Sequence, residues 1–342
     1  MMSASPAIWF PAVRAGTGTD VFTERLVAGL QERGLRAGIS WLPLRAEFAP
    51  WTVAIPKAPD WASICHVNTW LHPRFLPGHL PVVATLHHAV HDPVLLPYKG
   101  WLRGAYHRWW IAPRERRTMR RASQVVAVSH FVTDMARKTL CDVPIEVIHN
   151  GVDTEFFRPG RRQRPLQRPF QLLFVGGWMA RKGVDLLAPV MRELGDGFEL
   201  RYTGGAAAAD DKSHMPSNMH DLGRLPASAV VSAMQEADAF LFPSRSEGLP
   251  QVVMEAMACG LPAIGMRGTS VEEVISDGVN GVLCAREDVA GIAQSIRDLA
   301  ENPTKHENLG RAARDTVVAS YDISTMLDAY INMYCGLPER HT

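Results

Sequence analysis

The chain has 342 residues, 46% hydrophobic and 8% aromatic, which is material for about two cored domains. Its five cysteines (Cys65, Cys141, Cys259, Cys284, Cys335) are odd in number and scattered, with no C-x-x-C pair; this argues against a disulfide framework and a zinc site and fits a reducing compartment. The net charge of +1 conceals an asymmetry: residues 1–170 hold 22 Lys and Arg against 12 Asp and Glu, the remainder 14 against 23, so the first half is suited to an anionic partner.

No basic segment precedes Ile8-Trp9-Phe10-Pro11, so no signal peptide is expected. No apolar run reaches the roughly 18 residues of a spanning helix. The aromatic-plus-basic pattern of an RNA-binding module is not evident, so no nucleic acid is expected. A first strand is expected at 7–13, then the loop Gly16-Thr17-Gly18 and a helix over about 20–33, stopped at Gly34. Further strands are expected at 64–67, 82–86, 125–128 and 145–148. Short apolar runs separated by helical stretches predict a parallel sheet with crossover helices. The glycine loop lets backbone approach a phosphate, but the third glycine of a dinucleotide fingerprint is missing, because Val21 stands there. The strand expected at 82–86 ends in His87-His88-Ala89-Val90-His91. No acidic or cysteine cluster completes a metal site around these histidines, and no Asp-x-Asp occurs in the chain. His87, nearest the strand, is the one expected to meet a ligand.

From Lys99 to Arg121, Trp101, Leu102, Ala105, Tyr106, Trp109 and Trp110 recur at helical spacing. Pro113 interrupts, and Arg114, Arg116, Arg117, Arg120 and Arg121 follow with only Glu115 against them. The stretch reads either as an interfacial helix on anionic lipid or as a stripe packed into the first domain. The Pro- and Arg-rich residues 158–169 read as a linker. A second alternation follows, with strands expected at 172–175, 199–203, 239–242, 262–264 and 282–284. Arg181 and Lys182 precede a helix beginning near 184, where cations oppose the helix dipole unless an anion lies between.

The segment from Glu247 to Glu255 is the most informative. Pro250 suits the first position of a helix stopped at Gly260 and Pro262. Glu247 then lies just before the helix, and Glu255 about 7.5 Å along it. The helix tip between them is an anion site. The surroundings of Glu255 are apolar on nearly all sides, which predicts burial with a partner. The arrangement fits a nucleotide sugar: diphosphate at the tip, ribose on Glu255, sugar hydroxyls on Glu247.

Together these segments resemble a retaining glycosyltransferase of the GT-B fold, from glycosyltransferase family 4 (glycosyl transferases group 1). The resemblance is carried by the glycine loop with Glu32-Arg33-Gly34, the strand ending in His87, Val126-Ala-Val-Ser129, Ile148-His-Asn-Gly-Val-Asp153, Arg181-Lys182-Gly183, and Ala237-Asp-Ala-Phe-Leu-Phe-Pro-Ser244 running into Glu247 and Glu255. It implies two Rossmann-like doubly wound α/β domains facing a cleft: 1–165 on the acceptor side, 166–323 binding the nucleotide sugar, and 324–342 as a helix crossing back. It implies His87, Glu247 and Lys182 as catalytic. Gly16, Thr17, Gly18, Arg181, Arg224, Leu225, Gly248, Leu249, Pro250 and Glu255 are the implied donor contacts. No metal and no cofactor beyond the donor are implied. The implied partners are a nucleotide sugar, UDP- or GDP-linked, and a glycan or lipid-linked acceptor hydroxyl. The implied setting is bacterial cell-envelope polysaccharide or lipopolysaccharide synthesis, in the cytoplasm or peripherally on the inner face of its membrane. Two positions depart from the family: Gly177 where an arginine is frequent, and Leu249-Pro250 in place of Phe-Gly. Two rival functions remain at this stage: a non-catalytic subunit that binds nucleotide sugar or membrane, and a nucleotide-sugar epimerase or hydrolase on the same scaffold.

Overall fold

The computed structural model describes residues 5–160 and 169–337. Contacts divide the chain into two compact units, Met1–His149 with Ser324–Thr342, and Asn150–Ile323. Residues 161–168, most of the expected linker and the expected boundary at 165, lie outside the described residues.

The first unit holds a parallel sheet of β1 (Ala7–Val13), β2 (Arg36–Leu42), β3 (Ile64–Asn68), β4 (Val82–Leu86), β5 (Gln124–Ala127) and β6 (Glu146–Val147), in the order β2-β1-β3-β4-β5-β6. β1, β3 and β4 are buried at every residue, as strands covered on both faces must be. Pro11 sits in β1 without breaking it. Arg14 N–H donates to Leu42, so even-numbered residues of β1 face β2, and pairing with β3 has stopped at Trp9, before Pro11 would owe it an N–H. Helices α1 (Gly18–Glu32), α2 (Arg45–Phe48), α3 (Trp101–Tyr106), α4 (Ala112–Arg121) and α5 (His130–Thr139) belong to this unit.

The second unit repeats the plan with β7 (Phe170–Phe174), β8 (Phe198–Tyr202), β9 (Met219–Asp221), β10 (Ala239–Leu241), β11 (Ala263–Met266) and β12 (Val282–Cys284). Their order, β12-β11-β10-β7-β8-β9, places the topological switch point between β7 and β10, where open α/β sheets bind ligands. Its helices are α6 (Val184–Leu194), α7 (Ala227–Glu236), α8 (Gln251–Ala258), α9 (Val289–Glu301) and α10 (Pro303–Ser320). The final helix, α11 (Ile323–Gly336), packs on the first unit. Gly29 of α1 permits this, since a Cβ there would lie 2.6 Å from Leu327 Cδ1. Tyr334 of α11 meets His66 Nδ1 of β3 at 2.5 Å, and Arg33 pairs with Asp328.

Candidate functional site

Two loops meet at the switch point of the second unit. β7 runs through Gly176 and Gly177 into a short 3-10 turn, Ala180–Lys182, and then through Gly183 into α6. Gly183 has φ 72°, and a Cβ there would lie 2.1 Å from the carbonyl oxygen of Pro243, so only glycine lets this loop touch the one after β10. Across that contact, Lys182 Nζ lies 2.6 Å from Glu247 Oε1, Arg181 Nη1 lies 3.5 Å from the same oxygen, and Ser244 Oγ donates to it at 2.6 Å. Burial pushes the Lys182 pKa down while Glu247 pulls it up. Lys182 also stands over the Phe242 ring at 5.2 Å. The sequence assigned Glu247 and Lys182 to different parts of the donor. The structure makes them one hydrogen-bonded unit.

Arg245 fixes this loop, and the sequence reading missed it. Its side chain is 3% exposed and forks onto Asp185 at 2.7 and 2.8 Å and onto Glu287 at 2.6 and 2.8 Å. Burial opposes the Asp185 charge, yet the Arg245 hydrogen bonds outweigh it and hold that carboxyl low. Glu287 adopts φ 61°, a left-handed backbone unusual outside glycine. A strained residue held by an ion pair to a buried arginine marks a loop whose position is over-determined. The only trace in the sequence is an arginine inside an otherwise buried run.

α8 starts at Gln251, with Pro250 as its N-cap rather than its first helical residue, because the Pro250 carbonyl already accepts from Val253 and Met254. No side chain caps it. The residues from Leu241 to Pro250, including Gly248 and Leu249, are all buried. Glu255, expected buried, is half-exposed, because its α8 neighbours point into the core and leave its own face outward. The buried Ser246 hydroxyl has no hydrogen-bond partner among the described residues, a group that a ligand or water must satisfy.

At the edge of the same sheet, Asp221 organises the turn of Gly223, Arg224 and Leu225. Its Oδ1 accepts from Gly204, Gly205 and Gly223, and Lys212 lies 2.8 Å from its Oδ2. Burial raises this carboxyl's pKa, but Lys212 and these N–H groups together hold it far below the usual range. Arg224 is exposed and Leu225 half-buried. At Gly177 a Cβ would come 3.1 Å from Met179 Cε, so a larger residue requires Met179 to give way.

The remaining expected site residues lie in the first unit. The loop Gly16-Thr17-Gly18 is exposed, with Gly16 at φ 70°. Asp20, one turn on, accepts from Ala15 N–H at 3.0 Å and Gly16 N–H at 2.7 Å, so the chain's own carboxylate occupies part of the loop the sequence offered to phosphate. His87 Nε2 meets Asn68 Oδ1 at 2.8 Å, its ring stands edge-on to Phe22, and burial pushes its pKa down to about 4. His91 pairs with Glu115 at 2.7 Å.

The stretch from Lys99 to Arg121 differs most from expectation. Pro113 does not end the helix: it falls in the first turn of α4, directly after a π-helical turn, with helical backbone on both sides of it. The break lies earlier, in a π-helical turn, His107–Ile111. The wider turn splits the stripe. Tyr106 donates to Glu47 Oε1 and Trp110 Nε1 to the Glu47 carbonyl, whereas Trp101, Leu102 and Trp109 face solvent. Arg114 is buried too, stacked 3.7 Å over the Trp110 ring and donating to the Glu47 carbonyl.

Residues 13–156 match the family described as Glycosyltransferase Family 4, and residues 159–316 the one described as Glycosyl transferases group 1. Between them they take in nearly the whole chain. The glycogen synthase of Mycobacterium tuberculosis is 28% identical over 288 residues, 80% of this chain and 68% of that protein. Among solved structures, sucrose-phosphate synthase from Thermosynechococcus elongatus superposes with a TM-score of 0.81 at 16% identity, covering 97% of this chain and 99% of that one. Anabaena HepE in complex with UDP-glucose gives 0.73 at 15% identity, covering 97% and 100%. Two parallel six-stranded sheets with these neighbours define a GT-B fold. The chain belongs to the group 1, family 4 glycosyltransferases, enzymes of nucleotide-sugar transfer.

Proposed function

We propose that the chain is a retaining, metal-independent hexosyltransferase that moves a sugar from a nucleotide diphosphate sugar to an acceptor hydroxyl on a lipid-linked glycan or cell-envelope polysaccharide. The observation that carries this is the Lys182–Glu247 pair at the switch point, beside the uncapped tip of α8. The tip and Lys182, with Arg181, receive the diphosphate and stabilise the charge that grows on it as it leaves. Glu247, oriented by Lys182 and Ser244, takes hydroxyls of the sugar, and the half-exposed Glu255 takes the ribose. Gly248, Leu249 and Pro250 shape the wall, Arg224 and Leu225 the base pocket. His87 and the loop Gly16-Thr17-Gly18 serve the reacting sugar. The acceptor attacks on the leaving-group face and its proton passes to the departing phosphate, so the rate comes from positioning and charge stabilisation. Lys182 and Arg181 supply the positive charge that an Asp-x-Asp-held metal would otherwise bring.

The acceptor setting rests on the first unit's surface. Trp101 is 79% and Trp109 72% exposed, and Phe48 and Trp51 are exposed beside them, in ring contact with Tyr106 and Trp110. Arg45, Arg103 and Arg108 are exposed on the same segments. Amphipathic rings beside cations suit the headgroup layer of an anionic membrane, and this supports a peripheral position on its inner face. Among the described residues no helix is long and apolar enough to cross a membrane.

A thermal-shift series in EDTA against UDP, GDP, ADP and their sugars tests the donor, with uridine nucleotides first because HepE is described in complex with UDP-glucose. A ligand at 100 times its Kd adds roughly 2.7 kcal/mol. No stabilisation by any nucleotide sugar would overturn the reading. Activity abolished by chelation and restored by Mn²⁺ would overturn metal independence, and an inverted anomeric proton coupling in the product would overturn retention.

A further inference from the structure

α4 sorts its charges by face. Glu115 turns inward, accepting from Thr69 Oγ1 at 3.0 Å and pairing with His91. Arg114 turns inward onto Trp110. Arg116, Arg117, Arg120 and Arg121, spaced i, i+1, i+4 and i+5, share the outer face. They and Pro113 are the whole lining of an open groove of about 440 Å³. The groove is partly fixed in advance. Arg116 donates to the carbonyls of Leu140 at 2.9 Å and Thr139 at 3.0 Å, and Arg121 to that of Pro77 at 2.6 Å. No carboxylate among the described residues pairs with any of the four, because the one acid of α4 is spent inside. Like charges four apart on a helix repel, so the surface is at its least stable when empty of anions.

We propose that Arg116, Arg117, Arg120 and Arg121 form a binding site for a phosphate-bearing anion of diphosphate size, separate from the donor site on the second unit. Guanidinium groups recognise phosphate oxygens by paired, charge-assisted hydrogen bonds, and two arginines tied to backbone carbonyls, Arg116 and Arg121, flanking Arg117 and Arg120 can wrap a multiply charged group. The anion is free in solution or is the headgroup of a lipid. In the second case the site deepens the membrane reading above and rests on it.

The test is calorimetric titration with inorganic pyrophosphate at low salt, on the wild type, on Arg117→Ser/Arg120→Ser, and on Lys182→Ala. Arg117 and Arg120 make no hydrogen bond among the described residues, so the double variant keeps its fold, checked by an unchanged Tm. The wild type shows two binding events. The double variant loses one of them, roughly 10-fold or more in affinity, and Arg117→Lys/Arg120→Lys recovers it in part, because charge returns without the fork. Lys182→Ala loses the other event; if it does not, the donor reading fails and this one stands. Pyrophosphate binding in the double variant equal to wild type at every site overturns the proposal, as does binding indifferent to salt. Vesicles of mixed phosphatidylglycerol and phosphatidylcholine then identify the source. Release of the protein from them by pyrophosphate assigns the site to a headgroup. Vesicle binding that survives the double substitution while pyrophosphate binding is lost assigns it to a soluble anion.

Discussion

Each unit ends the leading strand of a parallel sheet in a glycine loop before a helix, and the two treat that loop in opposite ways. In the first, Asp20 folds back and accepts the N–H groups of Ala15 and Gly16. In the second, neither α6 nor α8 has a side-chain cap, and the facing charges, Lys182 and Glu247, are paired to each other rather than to the helix tips. α1 has no side-chain cap either, so the difference lies in the loop before the helix: N–H groups already taken by the chain's own carboxylate cannot take an anion without displacing it, whereas free ones can. One scaffold is thus used twice with a different first loop, and on the proposed reading the diphosphate goes to the second unit because of single residues near each loop.

Breaking the pair in the second unit has the largest expected effect. Glu247→Ala leaves Lys182 buried without its carboxylate. Breaking a buried pair costs on the order of 3 kcal/mol or more, and turnover falls by about 100-fold or more. Lys182→Ala weakens nucleoside diphosphate far more than nucleoside. Urea melts and calorimetry check both, and equal losses for diphosphate and nucleoside would place Lys182 away from the phosphates.

Acid strikes the first unit before the second. Burial, reinforced by His87, pushes His66 down to about 3, and burial pushes His87 down to about 4. Both are neutral in the fold, while unfolded they titrate near 6.5. Between about pH 6.5 and 4 unfolding therefore takes up protons, so stability is full above about 6.5 and falls with pH, by on the order of 3 kcal/mol for each of the two histidines at pH 4. His66 also holds Tyr334, so α11 loosens with it. Asp185 and Asp221, held low in the second unit, keep their contribution until pH falls below about 4, the ordinary carboxylate range. Calorimetric scans from pH 7 to 4 should show the first unit's transition moving down alone; parallel movement of both would contradict the assignment.

A smaller effect is expected at Glu255. Glu255→Gln keeps the fold and loses about 10- to 100-fold in donor affinity, since hydrogen bonds to a charged group are worth roughly 1.5–3 kcal/mol. Unaltered nucleotide affinity would remove Glu255 from the ribose.

How much of this could be read from sequence depended on burial and on distance along the chain. β1, β4 and β12 fall on the expected residues, since short apolar runs bounded by turns carry their own signal. β2 was missed. It is an edge strand, half-exposed, with Gly38 and Ser40 breaking its apolar pattern. β9, three residues long at the other sheet's edge, was missed for the same reason. The Lys182 and Glu247 segments were recognisable separately. Their pairing was not, nor was Arg245, whose partners stand 60 and 42 residues away. The π-turn that splits the tryptophan stripe has no residue signature, and the structure gives each of the two readings left open a part of the stripe: Trp110 contacts α2, while Trp101 and Trp109 face solvent.

The smallest expected effect sharpens the comparison most. Asp20→Ala removes the carboxylate that the first unit's loop uses in place of a ligand. Two N–H groups lose their acceptor, and since the loop is exposed, water replaces it at a cost of about 1 kcal/mol. Removal of the charge also leaves the positive end of α1 unopposed. Inorganic phosphate should then stabilise the variant's first transition in a thermal scan, while leaving that of the wild type unmoved at the same concentration. Asp20→Asn separates the two causes, because its amide oxygen still accepts the N–H bonds but carries no charge. If phosphate stabilises Asp20→Ala and not Asp20→Asn, occupancy of the N–H groups is what keeps the loop closed to anions. If it stabilises both, the charge is. If it stabilises neither, the contrast between the loops has another origin, and the open tip of α8 owes its role to Lys182 rather than to its missing cap.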